Sequence, residues 1–254
     1  MMRNIVFLCF FTSTLIFNVN LIFADGGNHL NSLTVNFQNS SLSNGYENHK
    51  NRSLNLYLDK YNTSIDMSEI QRYGFKDSSF RGTHFIKINP NLKSSFSYSK
   101  SNEGIFIPKN FYKIDILYDF NNSYLISTSK QKSNYKSGIN SDVTKIGFIR
   151  YYRNFRFAID HYISKIEKIG ESSSDSITAH YYFNRHYIAL AKSSGSELEI
   201  LPNGIASPLN VNNISIYGQL FISNRWRLGY SFSKDKVSNI YKKDNLGIEL
   251  IFNF

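Results

Sequence analysis

The sequence predicts an all-β fold, a transmembrane antiparallel up-and-down β-barrel of about twelve strands, with fourteen as the alternative count. Three observations predict it. Segments of about ten residues alternate apolar and polar side chains with a period of two, which is the pattern of strands. The connections between these segments alternate between short and long along the chain. The chain closes on "LGIELIFNF" (246–254), a bare alternating strand with an aromatic last residue.

The composition sets limits on the class of protein. Aromatic residues make up 16% of the 254 residues, with 21 Phe and 18 Tyr, so the fold needs a large apolar surface. That surface is either a core or a lipid-facing band. Because only 19% of the residues are charged and the mean hydropathy is −0.33, a bundle of transmembrane helices is excluded.

The net charge points to anionic partners. It is +10 at pH 7, and a basic excess favours phosphates and acidic glycans. A nucleic-acid binder would concentrate Lys and Arg on one face or in one motif. Here they are scattered near the ends of the predicted strands, so nucleic acid is not predicted as a partner. We expect outer-membrane lipid and lipopolysaccharide to be the partners.

The N-terminal segment "MMRNIVFLCFFTSTLIFNVNLIFAD" predicts a secretory signal peptide. Arg3 supplies a positive charge, an apolar run follows, and Ala24 is a small residue suited to cleavage. The alternative is an uncleaved membrane anchor, but Asn18 and Asn20 interrupt the run and favour cleavage. Cys9, the single cysteine, lies in this segment, so the mature chain does not rely on disulfides.

The predicted organisation has three parts. Residues 1–24 are the signal peptide, residues 25–52 are a lead-in or an extra strand, and residues 53–254 form the barrel. Within residues 25–52, the stretch "SLTVNF" (32–37) also alternates. It is either a periplasmic lead-in or part of a hairpin that would make the barrel fourteen-stranded.

The predicted strands leave connections of two kinds. They are Ser53–Lys60, Gly82–Asn89, Lys93–Ser101, Phe111–Phe120, Ser123–Ser133, Val143–Tyr152, Phe155–Lys165, Ser176–Phe183, His186–Ser193, Asn213–Ile222, Arg225–Lys236 and Lys243–Phe254. Every second connection is short, as in outer-membrane barrels with tight periplasmic turns and longer extracellular loops. A Greek-key sandwich is not expected to alternate so regularly. The stretch Tyr61–Arg81 is predicted as a long outward loop.

The order of motifs resembles a known family. "IGFIRYYRNFRFAIDHYIS" (146–164), "DSITAHYYFNRHYIALAKSSGSE" (175–197) and "NISIYGQLFISNRWRLGYSFSK" (213–234) precede the terminal strand. Together they resemble the YaiO-type outer-membrane β-barrel family over roughly residues 82–254. The resemblance implies an outer-membrane location. It implies no established substrate and no set of functional residues.

Charged residues on the parity opposite the apolar faces are candidates for the barrel lumen. They are Lys113, Asp115, Asp119, Arg156, Asp160, Arg225, Arg227 and Glu249. One interpretation is a charged lumen that admits or selects polar solutes. The other is a filled lumen in which the charges pair, since a twelve-stranded barrel is too narrow to be assumed open.

The C-terminal strand supplies a second set of candidates. Residues on one parity are expected to face lipid and to form an assembly signal for the outer-membrane assembly machinery. They are Leu246, Ile248, Leu250, Phe252 and Phe254. Gly247, Glu249 and Asn253 are expected to face the lumen, with Ile251 as an apolar exception.

No catalytic residue, metal ligand or cofactor site is predicted. His180 and His186 flank a predicted turn, but a metal site usually adds a third ligand or a carboxylate. Asp160 and His161, with the serines of residues 172–176, are the nearest material for a Ser–His enzyme, yet no triad spacing is present. A periplasmic girdle of aromatic residues is predicted at the tight turns: Tyr151, Tyr152, Phe155, Tyr181, Tyr182, Phe183, Tyr187 and Trp226.

The sequence therefore predicts an integral protein of a Gram-negative outer membrane. Its expected role is in envelope structure or in passage of a polar solute or polysaccharide. The alternative is a protein whose surface loops bind an anionic glycan or a host ligand. A lipid-modifying outer-membrane enzyme is the third hypothesis.

Overall fold

The computed structural model describes residues 31–44, 48–72, 74–104, 106–121, 123–136, 138–167, 170–200 and 206–254. The predicted signal peptide, residues 1–24, lies outside the described residues. Within the described ranges, no helix is long and apolar enough to cross a membrane.

The described chain is built from fourteen strands. They are β1 (Ser32–Leu42), β2 (His49–Leu58), β3 (Thr63–Arg72), β4 (Phe75–Asn89), β5 (Leu92–Ser101), β6 (Asn110–Asp119), β7 (Tyr124–Asn134), β8 (Asn140–Tyr152), β9 (Phe155–Ile166), β10 (Gly170–Phe183), β11 (His186–Ile200), β12 (Ala206–Phe221), β13 (Trp226–Val237) and β14 (Tyr241–Asn253). A short 3-10 helix, Asp59–Tyr61, separates β2 from β3.

Each strand pairs antiparallel with its neighbours in sequence, and β14 pairs with β1 to close the barrel. The closing seam runs from Ser32 opposite Asn253 to Leu42 opposite Lys243. Closure removes the unpaired edges that an open sheet would expose. The predicted up-and-down antiparallel barrel is confirmed.

The favoured count of twelve strands is wrong, and the alternative of fourteen is right. The stretch 32–37 belongs to β1, so the barrel begins well before residue 53. The stretch Tyr61–Arg81 is not a long loop, because it contains β3 and the first half of β4. These two strands pair with each other, so the residues of this stretch that lie on them belong to the wall.

The two ends of the barrel differ. β1 begins and β14 ends at the same end of the barrel, which we call the terminal end. We call the opposite end of the barrel the loop end. The terminal-end connections span residues 59–62, 90–91, 120–123, 153–154, 184–185 and 222–225. Asn184 adopts a left-handed φ of 55° in its tight turn, a conformation that Asn tolerates better than most residues. The connection of residues 102–109, between β5 and β6, lies at the loop end.

The two faces of the wall are inverted relative to a soluble protein. Ile146, Leu190 and Leu246 lie on the outer face with 58% of their surface exposed. Ser99 and Gln219 lie on the inner face and are almost fully buried. Monomeric soluble proteins rarely expose a contiguous apolar surface as large as the outer face of this wall. The wall therefore has an apolar outer belt and a polar interior.

The apolar face of β6 lies on this belt. The alternating aromatic and aliphatic residues of β6 and the turn after it are all exposed on the outside: Tyr112, Ile114, Ile116, Tyr118 and Phe120. On β12 and β13, Gly218 lies opposite Tyr230. A Cβ at residue 218 would collide with the Tyr230 ring, so the tyrosine covers the glycine. An aromatic side chain laid over a strand glycine restores packing that the missing side chain would lose.

Candidate functional site: the barrel interior

Small hydroxyl side chains line much of the interior. Because successive strand residues point to opposite faces, every second serine reaches the same surface. On β5, Ser95, Ser97 and Ser99 are all buried on the inner face. Ser127 and Ser129 on β7 are placed in the same way. This lining is typical of a barrel with a polar lumen.

Opposite charges meet near the middle of the wall. Lys113 Nζ lies 2.8 Å from Asp115 Oδ1 on the same strand, β6. Lys145 Nζ on β8 lies 3.4 Å from Asp160 Oδ1 on β9. Gly147 makes room for the second pair, because a Cβ there would collide with the Asp160 carboxylate. Each ion pair offsets part of the cost of removing its charges from water.

A third charged contact lies on the β3–β4 hairpin. Asp66 and Arg81 are directly opposite in register, and their charges attract each other. The guanidinium carbon of Arg81 also lies 4.6 Å from the ring centre of Phe111 on β6. The middle of the interior therefore carries paired charges of both signs.

At the loop end, the described residues of the β5–β6 loop (102–104 and 106–109) fold inward, and Asp77 holds them. This carboxylate sits on the inner face of β4 and is only 1% exposed. It accepts the backbone N–H of Glu103 at 3.3 Å, of Phe106 at 3.0 Å and of Ile107 at 3.0 Å. Hydrogen bonds to an ionised acceptor are the strong class. Asp77 thus fastens the loop to the wall inside the mouth.

Neighbouring contacts strengthen this arrangement. The Ser101 hydroxyl donates to the Ile107 carbonyl at 3.2 Å. The Arg72 guanidinium carbon, on the inner face of β3, lies 5.8 Å from the Phe106 ring centre. The backbone N–H of Lys136, in the β7–β8 loop, donates to the Gly104 carbonyl at 3.1 Å. The two loops therefore form one layer across this side of the mouth.

The same β7–β8 loop carries an ionisable group outside the strands. Burial raises the pKa of the Tyr135 phenol above its ordinary value. The ring therefore keeps its proton at physiological pH, and it adds no negative charge beside Arg72.

A small pocket opens at the mouth beside this layer and shares Arg72 with it. Its lining residues are Gln38, Ser40, His49, Lys50, Asn51, Ile70, Arg72 and Lys243. Two of them, Arg72 and Lys243, are basic residues on the inner face. Lys243 Nζ also lies 3.1 Å from Asp235 Oδ2. The pocket combines positive charge with several hydrogen-bonding groups, which suits a small anion.

The terminal end of the interior is filled by rings. Arg156 Nη1 donates to His180 Nδ1 at 3.3 Å, and His180 Nε2 lies 3.3 Å from the Tyr217 hydroxyl. The His180 ring centre is 5.7 Å from that of Tyr187, which is 5.9 Å from that of Tyr182. Tyr182 and Tyr187 therefore face inward and do not belong to the predicted girdle. We call His180, Tyr182, Tyr187 and Tyr217 the Tyr–His cluster, and this cluster narrows the terminal end of the interior.

A network of polar contacts around Arg227 lies beside these rings at the terminal end. Arg227 donates through Nη2 to Asn253 Oδ1 at 2.9 Å and through Nη1 to Gln219 Oε1 at 3.3 Å. The charge of Glu249 attracts the same guanidinium. Glu249 leans over Gly229, where a Cβ would meet its carboxylate. Arg227 thereby links three strands, β12 to β14.

The structure places most of the predicted lumen residues on the inner face. These are Lys113, Asp115, Asp119, Arg156, Asp160, Arg227 and Glu249. Asp119 lies at the terminal end of β6, where its Oδ1 accepts the N–H of Asn121 at 3.1 Å. Arg225 is a correction, because it lies exposed in the turn before β13 and not on a wall strand.

Sequence reasoning missed several inner charges. Asp66, Asp77 and Arg81 fell in the stretch assigned to a loop, and Arg72 fell there too. Lys145 lies within a predicted strand and was overlooked, although its parity matches that of the buried Gly147. Parity is the signal that would have found it.

His180, His186 and His161 each contact a different partner. His186 Nδ1 accepts the Phe221 N–H at 3.0 Å, whereas His180 binds Arg156. Asp160 faces inward and His161 outward, where His161 Nδ1 lies 2.7 Å from Asp175 Oδ1. No group of three or more potential metal ligands occurs in the described part of the chain.

The C-terminal strand lies with its alternating apolar residues outward. Leu246 is 58% exposed, Ile248 52%, Leu250 40% and Phe254 51%. The ring centre of Phe252 lies 4.6 Å from that of Trp226 on β13. The other parity of β14 points inward, and it includes Gly247, Glu249, Ile251 and Asn253.

Fold and interior together define a closed antiparallel β-barrel with an apolar outer belt and a polar interior. No protein-family model matches the chain, and no curated protein matches it either. The resemblance to the YaiO-type family therefore stays a prediction.

Solved structures of other barrels share this fold. The chain is similar to a "Bacterial polysaccharide outer membrane secretin", with a TM-score of 0.60, 7% identity, and coverage of 90% of this chain and 100% of that one. It is similar to an outer-membrane channel from Pseudomonas putida F1, with a TM-score of 0.59, 10% identity, and coverage of 91% and 99%. A third is the outer-membrane protein Omp33 of Acinetobacter baumannii, with a TM-score of 0.54, 10% identity, and coverage of 90% and 100%. At such identities the likeness shows the fold alone.

Proposed function

We propose that the chain is an integral barrel of a Gram-negative outer membrane and a narrow passage for small polar solutes, with a preference for anions. The observation that carries the proposal is the inversion of the two wall faces. Large apolar side chains cover the outside, and serines and paired charges line the inside. An apolar band around a polar lumen is the design of outer-membrane barrels. The loop end is then extracellular and the terminal end periplasmic.

The interior favours small solutes over polymers. Ser99, Tyr217 and Gln219 are at most 2% exposed on the inner face, so even water has little access to them. The β5–β6 loop occupies one side of the mouth and the Tyr–His cluster the other end of the interior. These groups restrict both ends of the interior, and for that reason we propose passage of small solutes and not of a polysaccharide chain.

The arrangement of inner charges favours anions. Near the middle, opposite charges pair and largely cancel. Arg72 and Lys243 lie at the extracellular mouth, where Asp235 is the acidic neighbour of Lys243. Arg156 and Arg227 lie at the periplasmic end, where Glu249 is the acidic neighbour of Arg227. Rings or clusters of Arg and Lys are how anion-selective pores attract their solutes. Among the solved barrels with this fold is an anion-selective porin from Comamonas acidovorans, with a TM-score of 0.51 and 8% identity, covering 88% of this chain and 98% of that one.

Planar-bilayer recording tests the proposed passage. Purified, heat-modifiable protein should give small conductance steps, and in a salt gradient the reversal potential should have the sign of anion preference. Arg72→Gln/Lys243→Gln should shift that potential toward cations, since two cations leave the mouth. Arg153→Gln/Arg185→Gln, in exposed terminal-end turns, is the matched control and should leave the potential unchanged.

A folded barrel that inserts but conducts no ions would overturn the passage. Its role would then be in envelope structure or in binding through the surface loops. A chain recovered as a soluble periplasmic product would overturn the membrane assignment itself.

Removal of Phe254, or Phe254→Asp, should prevent outer-membrane assembly. The substituted carboxylate would lie on the apolar outer belt beside Phe252, whose ring centre is 5.9 Å from that of Phe254. It would also alter the predicted signal for the assembly machinery. Membrane fractionation and heat-modifiable mobility measure the result, and Phe254→Tyr should assemble normally. Full assembly of Phe254→Asp would show that the terminal aromatic residue is not needed.

A further inference from the structure

A band of cations surrounds the outside of the barrel, on the loop-end side of the apolar belt. We call it the outer cationic collar. It consists of exposed side chains on the outer parity of eight strands: Lys50, Arg52, Lys76, Lys100, Lys130, Lys132, Lys165, Lys192, Lys234, Lys236 and Lys242. Acidic residues at the same level are fewer: Glu69, Asp142, Glu171, Asp175 and Asp244. The basic excess of the chain is therefore concentrated on one ring of the outer surface.

The densest part of the collar lies on β13 and β14. Lys236 and Lys242 are directly opposite each other in register, and Lys234 lies one step below Lys236 on the same face. Lys192 joins them across β12, where Ile214 stands between Lys192 and Lys234. Adjacent strands are about 4.8 Å apart, so these ammonium groups share a small area.

This grouping is unfavourable for the barrel alone. Like charges directly opposite each other on paired strands are destabilising. Asp244 lies opposite Lys234, yet in the described part of the chain no ion pair within 4.0 Å joins an acidic side chain to Lys234, Lys236 or Lys242. The positive charge is therefore left for a ligand to neutralise.

Apolar residues lie directly beneath the lysines. Phe232 and Leu246 face each other one step closer to the terminal end, and both are exposed. The Lys234 ammonium lies 5.7 Å from the Phe232 ring centre, so the lysine stem runs along the belt. A ligand with acyl chains below and an anionic head above would match both parts of this surface.

We propose that Lys192, Lys234, Lys236 and Lys242 bind the phosphate groups of a phosphorylated glycolipid in the outer leaflet. The proposal rests on the outer-membrane location proposed above and is independent of whether the barrel conducts. The acyl chains lie against Phe232 and Leu246. The phosphates lie between Lys236 and Lys242 and relieve their repulsion.

Binding of lipid A to the purified barrel in a neutral detergent tests the proposal. The bisphosphorylated form should bind more tightly than the dephosphorylated form, and its affinity should fall as salt rises. Lys234→Gln/Lys236→Gln/Lys242→Gln should lower the affinity for the phosphorylated form by about tenfold or more. The corresponding triple Arg variant should keep it, because Arg also binds phosphate.

The matched control removes the same charge from the other rim. Lys60→Gln/Lys87→Gln/Arg150→Gln should bind lipid A as the native chain does. Equal affinity for both lipid forms, or an unchanged affinity in the collar variant, would overturn the collar as a phosphate site. Heat-modifiable mobility confirms that each variant is folded. A native protein that fails to insert into vesicles would instead overturn the membrane assignment on which the collar rests.

Discussion

Deletion of residues 32–43, which removes β1, is expected to abolish assembly of the barrel. β1 lies between β2 and β14. It pairs with β14 from Ser32 to Leu42 and with β2 from Ser32 to Ser40. Without it, β2 and β14 would each present an unpaired edge to hydrocarbon, where each unsatisfied backbone group costs several kcal/mol. The two strands run in the same direction, so they cannot close the gap by antiparallel pairing. Heat-modifiable mobility and protease resistance measure the result.

The matched control deletes residues 25–30 and keeps β1 and the signal peptide. This chain should assemble as the native chain does. A twelve-stranded barrel beginning at residue 53 would tolerate both deletions, so the experiment separates the two strand counts. Recovery of a heat-modifiable barrel from the chain without β1 would contradict the closure seen between β1 and β14.

The strands with strong alternation were predictable almost to the residue. The predicted strands Phe111–Phe120 and Phe155–Lys165 correspond to Asn110–Asp119 and Phe155–Ile166. Their outer faces carry a large apolar residue at nearly every second position. Lipid requires this pattern over the full height of the belt, so the physical constraint and the sequence signal coincide.

β1 and β3 were harder to recognise because their outer faces are only partly apolar. On β3, Ile65 and Met67 are followed on the same parity by Glu69 and Gln71. The apolar pattern on the outer face of β3 therefore covers only two successive positions, Ile65 and Met67. The inner parity of β3 carries Ser64, so the strand resembles a polar loop in the sequence.

The interior was predictable in its polarity but not in its contacts. Parity placed Asp160 on the inner face, but its partner Lys145 lies on a neighbouring strand and depends on register. Parity turns Tyr182 and Tyr187 inward, but only the register of β10 against β11 brings both rings close to His180. Aromatic residues near tight turns suit a girdle and a lumen plug equally well, since both positions are half apolar and half wet.

Asp77→Ala is expected to raise the single-channel conductance and to free the β5–β6 loop. The substitution removes the acceptor of three backbone N–H groups, and orphaned buried donors cost about 1–3 kcal/mol each. The loop would leave the inner wall to hydrate these groups, which widens the mouth. Trypsin should then cleave after Lys109 at much lower protease concentrations than in the native barrel. The conductance is measured in planar bilayers on protein with heat-modifiable mobility.

Glu103→Gln is the control in the same loop. It breaks the exposed ion pair with Lys136, which spans 3.0 Å, and such surface pairs contribute about 0–1 kcal/mol. Conductance and cleavage should stay close to native. Replacement of residues 103–107 by two glycines removes the inward part of the loop without touching Asp77, and it should raise the conductance as Asp77→Ala does. If the loop is freed and the conductance is unchanged in both variants, the restriction lies at the Tyr–His cluster, because that cluster is the next narrowing along the same interior.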